Sequence, residues 1–240
     1  MQGNAQDTIV YFDRPGIGDG PYITQKGKIN VESGLGFSAF SDLKTNYIPA
    51  TMLRCQLVPS NELRLMFDYA PQTLKFIEHA DGFDFSFASI GSKQRLGRTP
   101  DWFADVALIG NVYYPVQRFT DFSMNPLCAD AYLVFEHNAP DGSYINYSLG
   151  YVYAGSTLKN MLQWSFAGNL MVGKLLFFAE YFGYYSFLDQ KADLGLDGGI
   201  IYEFNGNMQV DFSVIYNKFG IRDAFIYAFG YSVCINTARK

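Results

Sequence analysis

From Ala224 to Ile235 the chain alternates without a break. Phe225, Tyr227, Phe229, Tyr231, Val233 and Ile235 fall on one face, and Ala224, Ile226, Ala228, Gly230, Ser232 and Cys234 on the other. A period of two is the signature of a strand. Here one face is wholly apolar and the other is small and semi-polar. The same division recurs upstream. Lys28 to Phe40 sets Ile29, Val31, Leu35 and Phe37 against Asn30, Glu32, Gly34 and Gly36. Tyr47 to Val58 sets Leu53, Cys55 and Leu57 against Arg54 and Gln56, and Glu62 to Tyr69 sets Leu63, Leu65, Phe67 and Tyr69 against Glu62, Arg64, Met66 and Asp68. Phe83 to Leu96 opposes Phe83, Phe85 and Phe87 to Asp84 and Ser86.

Twelve such strands are expected from Lys28 onward. The others lie at about Ala104–Tyr114, Ala131–His137, Ile145–Tyr153, around Leu162, Trp164 and Phe166, and at Leu175–Phe187, Asp193–Phe204, Gln209–Asn217 and Ala224–Ile235. Turn chemistry separates them at Pro59-Ser60-Asn61, Asn138–Gly142 and Asn205-Gly206-Asn207. Longer connections fall at Pro71–Gly82 and Pro115–Asp130, and Gly97–Phe103 is longer than a short-turn end requires. An even set of strands, each about nine to thirteen residues long, suits a tilted barrel that crosses a bilayer.

Composition decides between lipid and water outside. Aromatic residues make up 18% of the chain, with 22 Phe and 18 Tyr, while charged residues make up only 17%. The aromatic excess is placed by interfacial girdles. A mean hydropathy of -0.02 would suit a soluble protein, but a membrane barrel dilutes each apolar residue with a lumen residue, so the average misleads. A soluble β-sandwich or lipocalin-like barrel would point Lys, Glu and Thr at water. The second face here carries mainly Gly, Ser, Ala, Asn and Asp, which fits a confined lumen. The expected fold is therefore all-β, a transmembrane antiparallel barrel (residues 26–240). Residues 1–25 form a separate N-terminal segment holding a signal remnant and a plug or latch.

The longest apolar run, Leu175 to Leu188, is too short for a membrane helix and contains Glu180. A net charge of -5 offers no basic stripe for nucleic acid. The three cysteines, Cys55, Cys128 and Cys234, are widely spaced and form neither a disulfide framework nor a zinc site.

By strand phase the lumen-lining charges are Glu32, Arg54, Glu62, Arg64, Asp68, Asp84, Glu180, Asp193, Asp197, Glu203 and Asp211. Two roles fit them: a salt-bridged wall that satisfies buried charge, or an eyelet that orients a polar solute. Asp13, Arg14 and Pro15 precede the first strand on a segment long enough to fold back into the lumen, where Asp13 and Arg14 would pair with wall charges. Catalysis has little footing, since His79 and His137 lie in connections or beside turns and neither has the serine neighbour that a lipid-cleaving site needs. Gly16-Ile17-Gly18-Asp19-Gly20 lacks the strand–loop–helix setting of a phosphate loop. No metal or cofactor is expected.

Asp13-Arg14-Pro15-Gly16, Gly27–Gly34 and Asn61-Glu62-Leu63-Arg64-Leu65 occur in an order that resembles one outer-membrane family, described as “putative MetA-pathway of phenol degradation”. The likeness continues through Lys93–Leu96 and Asp105–Pro115 to Gly230–Ile235. It implies a single outer-membrane barrel of a Gram-negative bacterium that moves small, often aromatic or hydrophobic compounds. The expected function is a passive channel or transporter narrowed by its charged lumen, with both termini periplasmic. The alternative is a non-conducting barrel that serves as an accessory subunit of a larger outer-membrane assembly. Expected partners are outer-membrane lipid, the barrel-assembly machinery, and, under the alternative, other outer-membrane proteins.

Overall fold

The computed structural model describes residues 10–14, 16–40, 43–47, 50–71, 83–98, 104–115, 128–153, 160–219 and 222–237. The strands are β1 (Lys28–Phe40), β2 (Leu43–Tyr47), β3 (Ala50–Val58), β4 (Asn61–Pro71), β5 (Phe83–Arg98), β6 (Asp105–Pro115) and β7 (Cys128–Asn138). They continue as β8 (Tyr144–Tyr153), β9 (Met161–Val172), β10 (Leu175–Ser186), β11 (Lys191–Asn205), β12 (Met208–Phe219) and β13 (Arg222–Asn236). Each pairs antiparallel with its neighbour, and β13 returns to β1 over the full length from Lys28↔Asn236 to Phe40↔Ala224. β2 and β3 both pair with β1, through Phe37↔Tyr47 and Gly34↔Ala50, and so form one stave in two lengths. The barrel is a closed cylinder of twelve staves with no free edge.

Alternation sets the two faces. Leu35, Ile90, Leu133, Leu149, Phe166, Leu170, Leu196, Phe229 and Tyr231 are exposed on the outside, while Asn30, Glu32, Arg54, Glu62, Lys93, Glu136, Glu180, Asp197 and Asp211 are buried inside. An apolar exterior around a charged interior inverts the arrangement of a soluble barrel, and hydrocarbon is the solvent that accepts it. The turns Pro59–Ser60, Gly173–Lys174 and Gly206–Asn207 share one end of the cylinder with Lys28 and Asn236. At that end Thr237 N–H donates to the Gly27 carbonyl (2.8 Å), fastening the closing seam.

Twelve staves enclose more room than inward side chains can fill, since about eight already suffice for a side-chain-packed interior. The described residues between Tyr11 and Thr24, which precede β1, enter that space.

Candidate functional site

Residues from Tyr11 to Thr24 lie inside the cylinder, bonded to inward-facing groups on opposite walls. Three wall glutamates hold the segment by its main chain. Glu32 Oε2 accepts from Asp13 N–H and Arg14 N–H, each at 2.9 Å. Glu180 accepts from Ile17 N–H and Gly18 N–H, each at 2.7 Å. Glu62 Oε2 accepts from Thr24 N–H and its hydroxyl. Amides that turn away from any ladder must find acceptors elsewhere, and carboxylates are the strongest acceptors on offer.

Arg54 ties this system to the wall. Its side chain is fully buried and donates to Glu32 Oε1 (2.6 Å) and Glu62 Oε1 (2.8 Å), and also to the carbonyls of Tyr11 (3.2 Å) and Tyr22 (3.0 Å). Its neighbours Arg64 and Lys93 face the same point in the lumen, and Asp13 occupies that point. Lys93 Nζ lies 2.8 and 2.7 Å from the two Asp13 oxygens, while Arg54 and Arg64 each approach Oδ2 at 3.3 Å. Burial by itself would raise the Asp13 pKa, but Arg54, Lys93 and Arg64 outweigh it and hold the carboxyl well below the usual carboxylate range. Arg64 also makes a two-pronged pair with Asp19, at 2.8 and 3.0 Å.

Arg14 turns the other way. Its guanidinium donates to Asp211 on β12 (3.1 Å) and lies over Gly34 and Gly230, which face each other across the β1–β13 seam. A Cβ on either glycine would collide with the guanidinium. Toward the turn end, Tyr22 stacks on Tyr11 with centroids 4.0 Å apart, donates to Asp105 Oδ2 (2.9 Å) and accepts from Asn138 Nδ2. Burial and the adjacent Glu136 and Asp105 carboxylates push the Tyr22 hydroxyl pKa far above its ordinary value. Beside the segment remains a cavity of about 290 Å³, lined by Asp13, Asp19 and Arg64 on one side and by Met52, Met66, Tyr113, Tyr132 and Val134 on another.

The family described as “Putative MetA-pathway of phenol degradation” matches residues 12–227. The chain belongs to this family. The match begins at Phe12, so it takes in the lumenal segment as well as the staves. No curated protein matches in sequence. Among solved structures the chain is similar to the COG4313 outer membrane channel from Pseudomonas putida F1, with 10% identity, a TM-score of 0.65, and coverage of 92% of this chain and 100% of that one. It is also similar to the NanC porin (11% identity, TM-score 0.63, 85% and 98% covered) and to the CymD monoaromatic hydrocarbon channel (11%, 0.55, 89% and 90%). At these identities the likeness carries the fold, which is that of an outer-membrane β-barrel.

Within this family member the residues expected at the lumen fall into three groups. Glu32, Arg54, Glu62, Arg64, Glu180 and Asp211 all touch the segment. Glu62 and Arg64 do not pair with each other: Glu62 bonds Arg54, and Arg64 bonds Asp19. Asp197 is buried beside the Gly198 amide and the Ser213 hydroxyl, away from the segment, while Asp193 and Glu203 sit half-buried nearer the two ends of β11. Asp68 and Asp84 have described backbone, in register with Ala50 and Ala70, but their side chains lie outside the described residues, as does all of Pro15.

Lys93, the cation nearest Asp13, was not expected there. Extending the Phe83, Phe85, Phe87 phase would turn Lys93 outward. On β4 Asp68 pairs with Phe87 and Tyr69 with Phe85, so Ser86 has no residue opposite. Beyond this bulge the odd positions Ser89, Gly91 and Lys93 are the buried ones. The apolar Ile90 and Leu96, both exposed and both in the even phase, are the sequence signal downstream of the bulge that could have marked the change. Asp105, Asp130 and Glu136 on β6 and β7 are also buried inward, and each interrupts a run whose apolar partners were legible.

Proposed function

We propose that this barrel is a passive outer-membrane channel for small solutes, with both termini periplasmic, and that residues from Tyr11 to Thr24 act as a latch across its charged lumen. The observation that carries the reading is the way the segment is held. Every anchor named above is a hydrogen bond or an ion pair, whereas a permanent filling would bury apolar side chains against the wall. Polar anchors exchange for water at small net cost once both partners are wet. Membership of the family and the shared barrel fold support transport, and the likeness to a monoaromatic hydrocarbon channel makes small hydrophobic or aromatic compounds the first solutes to test. Chemistry on the solute is not part of this reading.

The test is single-channel conductance of the refolded protein with and without Asp7–Gln25. Discrete steps that grow on truncation are expected. Equal conductance from both forms would remove the latch from the proposal, and silence from both, with folding verified by heat-modifiable gel mobility, would remove the channel.

One observation favours the accessory reading. Gly168, Ala179 and Gly198 stand in register across β9, β10 and β11 on the outward face, a flat strip that would admit a second barrel closely. Cross-linking through cysteines placed at Gly168 and Ala179 in native membranes separates this from a solitary channel.

A further inference from the structure

Lys93 is fully buried and donates to the Asp13 carboxylate and to the carbonyls of Gly20 and Tyr22, all of them on the segment. Arg64 is nearly as buried, and among the described residues it donates to Asp19 and to the Met52 sulfur and lies 3.3 Å from Asp13 Oδ2. Arg54 differs, because Glu32 and Glu62 on the wall neutralise it whether or not the segment is present. Among the described wall carboxylates, Glu32 and Glu62 bond Arg54, and Glu136 lies within reach of the Lys93 charge. The carboxylate in direct contact with all three cations is Asp13, on the segment, and a desolvated cation that loses its contact partner is costly.

We propose that the cleft between Arg54, Arg64 and Lys93 is a binding site for the carboxylate of a small organic acid, with Asp13 its built-in occupant. The inference rests on the latch reading and deepens it: withdrawal of the segment exposes three converging cations that an anion of similar geometry pairs with more strongly than water does. Three cations converge on one carboxylate: all three approach Oδ2, and Lys93 also reaches Oδ1, so both oxygens are held, which favours a planar, two-oxygen group over a spherical halide. The rest of the acid would extend into the adjoining cavity, where Met52, Met66 and Val134 offer apolar contact and Ser89, Asn111 and Gln163 polar contact, a mixed lining that suits a small body with both kinds of surface. A neutral analogue of the same shape leaves Lys93 unpaired and is excluded for that reason.

The test replaces the internal carboxylate and asks for it back. Full-length Asp13→Ala barrel in detergent is titrated with sodium acetate, and with sodium chloride or acetamide at matched ionic strength, while the unfolding midpoint is followed by heat-modifiable mobility. Acetate should raise the midpoint of Asp13→Ala and leave the wild type unmoved. Adding Lys93→Met should weaken the acetate effect on the order of tenfold or more. Identical curves in acetate and chloride would overturn the proposal. Should Asp13→Ala not fold, Asp13→Asn takes its place, and should neither fold in chloride, the refolding yield in acetate against chloride becomes the readout. No current is needed, so a barrel silent in planar bilayers fails the channel reading while the carboxylate site is still decided. Where the chain lacking Asp7–Gln25 does conduct, benzoate should block it and benzamide should not.

Discussion

Lys93 on β5 and Asp13 on the lumenal segment, eighty positions apart in sequence, meet with Nζ at 2.8 and 2.7 Å from the two carboxylate oxygens, and both side chains are buried. Lys93→Met takes away the shortest of the three cation contacts to Asp13 and leaves Arg54 and Arg64 at 3.3 Å, so it should lower stability by about 1–3 kcal/mol. The double variant Asp13→Asn/Lys93→Met should recover most of that loss. Unfolding midpoints of the four forms in detergent give the coupling energy directly, and additive effects of the two substitutions would dismiss the pair as a mere neighbour contact.

Acid should release this contact late. Asp13 faces Arg54, Arg64 and Lys93 from β3, β4 and β5, with Glu32 and Glu62 behind them, and its carboxyl is held below the usual carboxylate range. A group whose pKa is lowered on folding contributes stability that is fully present above its unfolded value, near about 4, and lost as pH falls toward the folded value. Conductance measured from pH 8 down to about pH 4 should therefore stay at its latched level, with opening confined to still lower pH. A titration of conductance centred between pH 5 and 7 would assign the latch to another group.

Much of this arrangement was legible before the structure. Period two along Lys28–Phe40, Glu62–Tyr69 and Ala224–Ile235 named the lumen faces of β1, β4 and β13, because a buried face tolerates no slip of register. Asp13 and Arg14 were expected to find wall charges, and they lie 3.3 Å from Arg54 and 3.1 Å from Asp211. Two kinds of information were missing from the pattern. A bulge costs one residue and leaves no compositional trace in a run of Phe, Ala and Ser, so the inward turn of Lys93 was hidden. Pairing across the lumen depends on the stagger of the staves and the path of the segment, and nothing local to Glu180 says that it will receive the amides of Ile17 and Gly18.

Asp197 offers a test of the opposite sign. It sits directly across from Glu180 in the β10–β11 ladder, both are buried, and among the described residues no cation pairs with Asp197, whose polar neighbours are the Gly198 amide and the Ser213 hydroxyl. Like charges facing each other on one side of a sheet repel. Asp197→Asn should raise the unfolding midpoint, a gain on the order of 1 kcal/mol. Destabilisation instead would mean that the Gly198 amide and the Ser213 hydroxyl hold the carboxylate more strongly than Glu180 repels it.

The far end of the segment hangs on Glu180, and Gly18 is what lets it come close. A Cβ at Gly18 would collide with Ser165 Oγ and stand 2.8 Å from Glu180 Oε1. Ser165 is buried on β9 and fixed by its exchange with Ser148 at 2.9 Å, so the wall cannot give way. Gly18→Val should therefore detach Ile17 and Gly18 from Glu180 while Asp13, Arg14 and Thr24 keep their own anchors on β1, β12 and β4. The expected conductance lies between that of the wild type and that of the chain lacking Asp7–Gln25, with unchanged heat-modifiable mobility because the staves are untouched. Wild-type conductance in a folded Gly18→Val barrel would show that the Glu180 contact does not restrict the lumen, and the constriction would then reside at Asp13 alone.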